Sequence, residues 1–188
     1  MTNTNTIPAV LEQRRALTQI LLVIGGTAII AIAAQIAINV PFTPVPLTLQ
    51  PLAVLLVGIA LGSRRGAAAA ALYLLEGASG LPVFAQGHGG ALWLVAATGG
   101  YLMSYPAAAF VAGWISERGW GSSIARAFAG MLIALAVIYA GGWAWLAILS
   151  GPRAAFTMGI VPFVAADIVK IGIGASLLPY AQKLIARL

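Results

Sequence analysis

Long apolar runs alternate with short polar connections along most of the chain. Because an α-helix rises 1.5 Å per residue and the hydrocarbon core of a bilayer is about 30 Å thick, this pattern predicts about six transmembrane helices. The first run exceeds the roughly 7–15 apolar residues of a signal peptide, so we expect it to remain as a permanent span. After an N-terminal segment 1–16, the predicted spans are roughly 17–38, 49–61, 67–76, 91–115, 124–149 and 157–178.

The second and third runs are shorter than the roughly 17 residues that a perpendicular span requires. Before the second run, Pro41, Pro44 and Pro46 prevent a continuous helix. Non-helical backbone at membrane depth is tolerated only where protein buries it or where it lines a cavity. The adjoining connections are therefore predicted to enter the membrane and to line a cavity.

The composition indicates a membrane protein with a single domain. Of 188 residues, 61% are hydrophobic and 7% are charged, and the mean hydropathy is +0.99. Soluble domains carry about 25% charged residues. We therefore predict an all-α integral membrane protein that forms a compact helical bundle in the lipid bilayer. Residues 1–188 are predicted to form one polytopic domain. The net charge of +6 is spread between apolar runs and is not concentrated on one face, which argues against nucleic-acid binding.

The positions of the basic residues predict an orientation. Lys and Arg occur before the first run, in the second and fourth connections and after the last run, whereas the fifth connection has only Arg153. The positive-inside rule then places both termini in the cytoplasm and the predicted cavity on the outer side. Tyr139, Trp143 and Trp145, near the end of the fifth run, are expected to form an interfacial aromatic belt.

Asp167 and Lys170 are the strongest candidates for a site. They lie three residues apart inside the sixth apolar run, hence on one helix face. Ionisable side chains at membrane depth are costly unless they are paired or solvated, and they commonly mark functional sites. The alternative is an ion pair that only orients helices. We favour a binding site because Asp and Lys together offer acceptors and donors to a ligand with N–H groups beside a carbonyl, for instance a cyclic urea.

The glycine-rich third connection supplies further candidates. It contains Phe84, Gln86 and His88 among several glycines, which allow the backbone to approach a ligand closely. Taken singly, His88 fits a flexible exposed loop better than a site. Tyr101 and Tyr105 follow at helical spacing, although aromatic side chains in membrane helices mostly pack or lie at the interface.

One short motif raises the possibility of an enzyme. Residues 77–80 read Gly-Ala-Ser-Gly, similar to the sequence around the nucleophilic serine of rhomboid proteases. Such a serine needs a general base, and the only histidine, His88, is in the same loop as Ser79 and not on a separate helix. Phosphate-binding, zinc-protease and dinucleotide motifs are absent from the sequence. We therefore expect no enzymatic activity and no metal or cofactor.

Five segments, in order along the chain, resemble the BioY family of biotin-specific substrate-binding components of energy-coupling-factor transporters. No single segment is specific, but together they cover most of the chain between Pro41 and Lys170. The segments are PFTPVPLTLQ at 41–50, LGSRRG at 61–66, GASGLPVF at 77–84, TGGYL at 98–102 and PFVAADIVK at 162–170.

This resemblance implies a six-helix component in the cytoplasmic membrane of a prokaryote. The component would capture biotin on the outer side and deliver it together with a transmembrane coupling protein and a pair of cytoplasmic ATPases. The family's ureido-binding Asp and Lys correspond to Asp167 and Lys170, and its loop and Gly-Gly-Tyr motif correspond to 84–90 and 99–101. The small residues Ala33 and Ala37 resemble the patch of the first helix that docks the coupling protein.

Two departures from the family pattern lie near the implied site. Ala96-Ala97 replaces the usual Gly-Pro, and Ala166 replaces the Gly that usually precedes the Asp. Both changes bear on fine specificity more than on the family. One alternative is a component for another small vitamin. A second alternative is an ion-coupled secondary transporter with Asp167 as its proton site.

The predicted orientation can be tested by cysteine labelling, because the chain has no cysteine of its own. Cysteines introduced at Ser63 and Ser122 should react only with a reagent supplied from the cytoplasm. A cysteine at Gln86 should react from the outside. Labelling at the first two positions by an impermeant reagent applied outside intact cells would contradict the orientation.

Overall fold

Helices account for most of the structure, a computed structural model that describes residues 6–185. The elements are α1 Thr6–Gln35, β1 Ala37–Ile38, β2 Leu47–Thr48, α2 Gln50–Leu61, α3 Ser63–Ala78, α4 Gly99–Glu117, α5 Ile124–Ser150, α6 Pro152–Gly159 and α7 Val161–Ile185. Short 3₁₀ turns occupy Ala85–Gly87, Ala91–Leu94 and Trp120–Ser122. Residues 6–185 are therefore all-α apart from one pair of two-residue strands.

In the part of the chain that the structure describes, three helices are long and apolar enough to cross a membrane. They are the segments Glu12–Gln35, Ile124–Ser150 and Val161–Pro179, and Gln50–Leu61 is a shorter apolar helix. Large apolar side chains remain exposed on their outer surfaces, among them Leu21, Ile32 and Ile148. A surface of this kind is stable in contact with lipid, and the protein is an integral membrane protein.

Helix α4 occupies the centre of the bundle, where α2, α3 and α5 pack around it. Many of its buried residues are small, including Ala108, Ala109 and Ala112. Gly58 of α2 lies so close to the backbone of Ala109 that a side-chain carbon there would overlap the Ala109 carbonyl oxygen. Small residues allow helix backbones to approach one another, which is how helices in membranes gain packing energy.

A carboxylate joins α4 to the start of α3 at one end of the bundle. Glu117 Oε1 accepts hydrogen bonds from the Ser63 backbone N–H at 2.7 Å and from the Ser63 hydroxyl at 3.0 Å. These bonds lower the pKa of the Glu117 carboxyl below its ordinary value, and the backbone bond has the largest effect.

The exposure of Ser63 affects the labelling experiment. Because Ser63 is only 7% exposed, Ser122, which is exposed, is the better position for a labelling cysteine at this end of the bundle.

The helix ends differ from the predicted runs at several places, of which three affect the cavity or have a clear cause. Helix α1 ends at Gln35, since the chain then forms β1, which pairs antiparallel with β2. The predicted run 91–115 begins with a 3₁₀ turn, and α4 starts only at Gly99. The predicted run 157–178 is divided between α6 and α7 at Ile160, because Pro162 has no N–H to continue the hydrogen bonds of the preceding turn and its ring interferes with that turn.

The early end of α1 corrects the expectation about Ala33 and Ala37. Ala33 lies on α1 and packs against the core, but Ala37 lies in β1, where it pairs with Thr48. The interpretation of these two alanines as one small-residue face of the first helix is therefore wrong. A spacing of four residues places side chains on a common face only while the helix continues.

We predict that Gly58→Ala destabilises the protein and that Gly25→Ala does not. Both glycines lie inside helices, so alanine improves helix propensity by up to about 1 kcal/mol at each. At Gly58 the added methyl overlaps the α4 backbone, and such overpacking costs about 1–3 kcal/mol, whereas nothing lies within 4 Å of the new carbon at Gly25. Thermal unfolding in detergent should show a lower midpoint for Gly58→Ala alone. Equal midpoints for the two variants would contradict the close α2–α4 contact.

Candidate functional site

A cavity lies at the end of the bundle where the α1–α2 and α3–α4 connections meet α4, α5 and α7. About 150 Å³ of it is accessible to the centre of a water molecule. The α1–α2 connection contributes Asn39 and residues 44–48, and the start of α2 contributes Gln50 and Pro51. All seven residues predicted as ligand contacts line this cavity: Phe84, Gln86, His88, Tyr101, Tyr105, Asp167 and Lys170.

The charged pair is formed as predicted, and other elements hold it in place. Lys170 Nζ lies 2.8 Å from Asp167 Oδ1 and donates a second hydrogen bond to the Thr48 carbonyl at 2.7 Å. Tyr139 donates its hydroxyl to Asp167 Oδ2 at 2.7 Å, and Asp167 is only 4% exposed. A carboxylate has about four acceptor positions and an ammonium three donors, so both groups retain capacity for a ligand.

The hydrogen bonds of Tyr139 and Trp145 correct the expectation of an aromatic belt. Tyr139 is turned toward Asp167, and Trp145 donates its indole N–H to the Ala96 carbonyl at 2.9 Å. Trp143 is partly exposed and donates to the Pro152 carbonyl at 3.2 Å. Tyr139 is thus a site residue that sequence reasoning missed, because 28 residues separate it from Asp167 and no motif links them.

Polar side chains continue from the charged pair toward α3. The Thr48 hydroxyl donates to Gln50 Oε1 at 3.2 Å, and Gln50 Nε2 lies 2.7 Å from the Tyr73 hydroxyl. Tyr73 in turn donates to the Val83 carbonyl at 3.1 Å. Thr48 and Gln50 line the cavity. Neither was predicted as a site residue, although both follow closely after the three prolines of the α1–α2 connection.

Aromatic side chains form the apolar part of the cavity wall. Phe84 is 2% exposed and meets Tyr73 edge to face, with ring centroids 5.6 Å apart. Its ring occupies the space beside Gly77, where any side chain would overlap it. The Tyr101 hydroxyl donates to the Gly159 carbonyl at 2.7 Å, where the break between α6 and α7 leaves that carbonyl available.

Gln35, at the end of α1, holds the loop that carries Phe84, Gln86 and His88. Its side-chain oxygen accepts the Gly87 N–H at 2.9 Å, and its amide nitrogen donates to the Phe84 carbonyl at 3.2 Å. Between these contacts Gln86 has a positive φ of 62°. His88 is half-buried, so the expectation that it lies in a freely exposed loop does not describe this residue.

The residues considered for a protease do not form a catalytic pair in this structure. Ser79 donates its hydroxyl to the Glu76 carbonyl at 2.7 Å, and His88 Nδ1 lies 2.7 Å from the Ala85 carbonyl. Ser79 also lies outside the lining of the cavity. The serine is therefore not activated by the histidine.

Together the fold and site define an integral membrane protein with a largely apolar cavity that contains one ion pair and lies under two loops. Comparison with known proteins then identifies the family: the model of the BioY family matches residues 3–187. The chain belongs to the BioY family, and the resemblance noted in the sequence is confirmed.

Relatives with printed functions support the same family. A protein of Thermotoga maritima named "Biotin transporter BioY" is 42% identical over 159 residues, which cover 84% of this chain and 92% of that protein. A "Probable biotin transporter BioY" of Pyrococcus horikoshii is 41% identical over 143 residues, 76% of this chain and 83% of the relative. The chain thus belongs to a family that includes named membrane transporters.

A solved structure shares the fold. The crystal structure at 2.1 Å described as the S-component for biotin from an ECF-type ABC transporter matches with a TM-score of 0.80. The match covers 90% of this chain and 93% of that chain at 22% sequence identity. The chain therefore has the same helical fold as that structure.

We predict that Gln35→Ala loosens the loop around Gly87, whereas Gln19→Ala, an exposed substitution on the same helix, does not. A lost hydrogen bond of this kind is worth about 1 kcal/mol, so amide exchange in the peptide 84–90 should accelerate about fivefold. Hydrogen–deuterium exchange with mass spectrometry measures this rate. If both variants exchange as the wild type does, Gln35 does not hold the loop.

Proposed function

We propose that the protein captures biotin with high affinity and serves as the substrate-specific component of an energy-coupling-factor transporter. The observation that carries this proposal is the buried Asp167–Lys170 pair facing the cavity. Biotin presents two N–H donors beside a carbonyl in its ureido ring. The carboxylate of Asp167 can accept from an N–H, and the third N–H of Lys170 can donate to the carbonyl.

The rest of the cavity wall suits the remaining parts of biotin. Phe84, Tyr101 and Tyr105 offer apolar ring surfaces for the sulfur-containing ring and the aliphatic chain. Gln86 and His88 supply polar groups on the loop. Names of relatives in the family, which specify biotin, support this choice over another small vitamin.

The proposed setting is the cytoplasmic membrane of a prokaryote, with several spans, both termini in the cytoplasm and the cavity facing outward. The support is electrostatic: Arg64, Arg65, Arg118 and Arg126 lie in or beside the connections at the end of the bundle remote from the cavity. Family membership supports a transmembrane coupling protein and a pair of cytoplasmic ATPases as partners. We propose that the coupling protein docks on α1 at a surface that includes Ala33 but not Ala37.

We predict that Asp167→Asn and Lys170→Met each weaken biotin binding at least about tenfold, equivalent to roughly 1.4 kcal/mol. Asparagine keeps the shape of Asp167 but turns one acceptor into a donor, so a ligand N–H can face another donor. Methionine keeps most of the Lys170 stem and removes the donor head. Isothermal titration of the purified variants with biotin, desthiobiotin and unrelated vitamins measures the effect.

Arg126→Met is the matched control, because it removes an exposed cation at the opposite end of the bundle. It should leave the affinity for biotin unchanged. If the Asp167–Lys170 pair is only structural, both site variants will have lower melting temperatures while their folded fraction binds biotin normally. Unchanged affinity in both would defeat the site assignment, and preferential binding of another vitamin would replace the proposed ligand.

We further predict that the purified chain binds biotin without hydrolysing ATP, because its sequence lacks a phosphate-binding loop. Accumulation in liposomes should require ATP together with the coupling protein and ATPase partners. Uptake by the chain alone, driven by a proton gradient, would instead support an ion-coupled transporter. ATP hydrolysis by the chain alone, with contaminating ATPases excluded, would also contradict the proposal.

A further inference from the structure

His88 occupies a defined position in the cavity wall. Its ring lies against Trp93, with ring centroids 4.1 Å apart and an interplanar angle of 38°. Its carbonyl accepts the Phe84 N–H at 2.9 Å, which fixes the backbone of the loop on both sides of Gln86. The imidazole is thus positioned by contacts on its face and along its backbone.

The hydrogen bond of His88 Nδ1 determines what its other nitrogen offers to a ligand. Nδ1 lies 2.7 Å from the Ala85 carbonyl oxygen, which can only accept, so Nδ1 carries a hydrogen. In the neutral ring, Nε2 therefore has a lone pair and repels an anion. In the protonated ring, Nε2–H becomes a charge-assisted donor.

The other cation of the cavity is already engaged. Among the described residues that line the cavity, Lys170 and His88 are the groups that can carry positive charge. Lys170 is bound to the Asp167 carboxylate and to the Thr48 carbonyl. A ligand that carries an additional anionic group can therefore pair that group with His88.

Several uncharged and ionisable groups of the surrounding elements lie near the loop or in the cavity wall. The α1 contact of the loop is the uncharged amide of Gln35, and the acid of α3, Glu76, accepts the Thr27 hydroxyl. The cavity also contains Asp167, Lys170 and the phenols of α4 and α5 (Tyr101, Tyr105, Tyr139). Imidazole is the side chain that ordinarily changes charge between about pH 5 and 8.

We propose that His88 receives the carboxylate of the ligand's tail and takes up a proton when a carboxylate ligand binds. This inference rests on the proposed function, since biotin carries a ureido ring at one end and a carboxylate at the other. An opposite charge within about 4–6 Å favours the protonated imidazole, so binding and protonation strengthen one another. Affinity for biotin should then increase as the pH falls from about 8 to about 6, while the ligand carboxylate stays ionised.

The test is a calorimetric titration of the detergent-purified full chain with biotin and with biotinamide, whose tail is uncharged. We expect biotin to bind about fivefold or more tightly at about pH 6 than at about pH 8, and biotinamide to change by less than about twofold. Near neutral pH, titrations of biotin in two buffers of different ionisation enthalpy should reveal proton uptake.

His88→Phe keeps a ring against Trp93 and removes the titrating group, so both the pH dependence and the proton uptake should disappear. His88→Gln serves the same purpose if the phenylalanine variant does not fold. A pH dependence that persists in these variants, or that is equal for biotinamide, would overturn the role of His88. Binding of biotin with no pH dependence in the wild type overturns this inference alone, whereas no biotin binding at either pH also overturns the proposed function.

Discussion

The ion pair between Asp167 and Lys170 is the interaction on which the cavity depends. Two charges inside an apolar bundle are costly unless each is paired and hydrogen-bonded. Here the partners come from three places: α7 supplies both charges, α5 supplies the Tyr139 hydroxyl, and the α1–α2 connection supplies the Thr48 carbonyl. The electrostatic requirement thus holds three separate parts of the chain around one space.

Rigid and adjustable parts of the site are divided between helices and loops. The helices beneath the cavity are in close backbone contact, as at Gly58 and Ala109, and they leave little room for movement. The loop 84–90 is instead attached through a few hydrogen bonds, several of them from Gln35. A ligand therefore meets fixed charges on the helices and a loop whose position depends on contacts worth about 1 kcal/mol each.

Sequence reasoning predicted the parts of this structure that follow from local physical rules. Two apolar runs are too short to span the membrane, and prolines precede the first of them, so the adjoining backbone was predicted to line a cavity. Two ionisable residues at helical spacing were predicted to form the polar side of that cavity. All seven proposed ligand contacts line one cavity. The family resemblance, carried by five ordered segments, is confirmed.

Features that depend on long-range contacts were not predicted. Tyr139 was interpreted as an interfacial residue. Its hydrogen bond to Asp167 spans 28 positions, and no local pattern in the sequence indicates it. The pairing of Ala37 with Thr48, which ends α1 early, likewise depends on a partner across the proline-rich connection. The break at Ile160 has a local cause in Pro162, but apolar residues continue through it, so hydropathy alone did not reveal it.

The contact between Lys170 and Thr48 also has a consequence for biosynthesis. It joins residues 122 positions apart, so the Thr48 carbonyl has no ammonium partner until the last helix has entered the membrane. Helices that emerge earlier can pack through their small residues before that time, but the charged wall of the cavity is missing from them. A chain that stops before α7 can therefore assemble much of the bundle and still lack the ion pair that the cavity is built around.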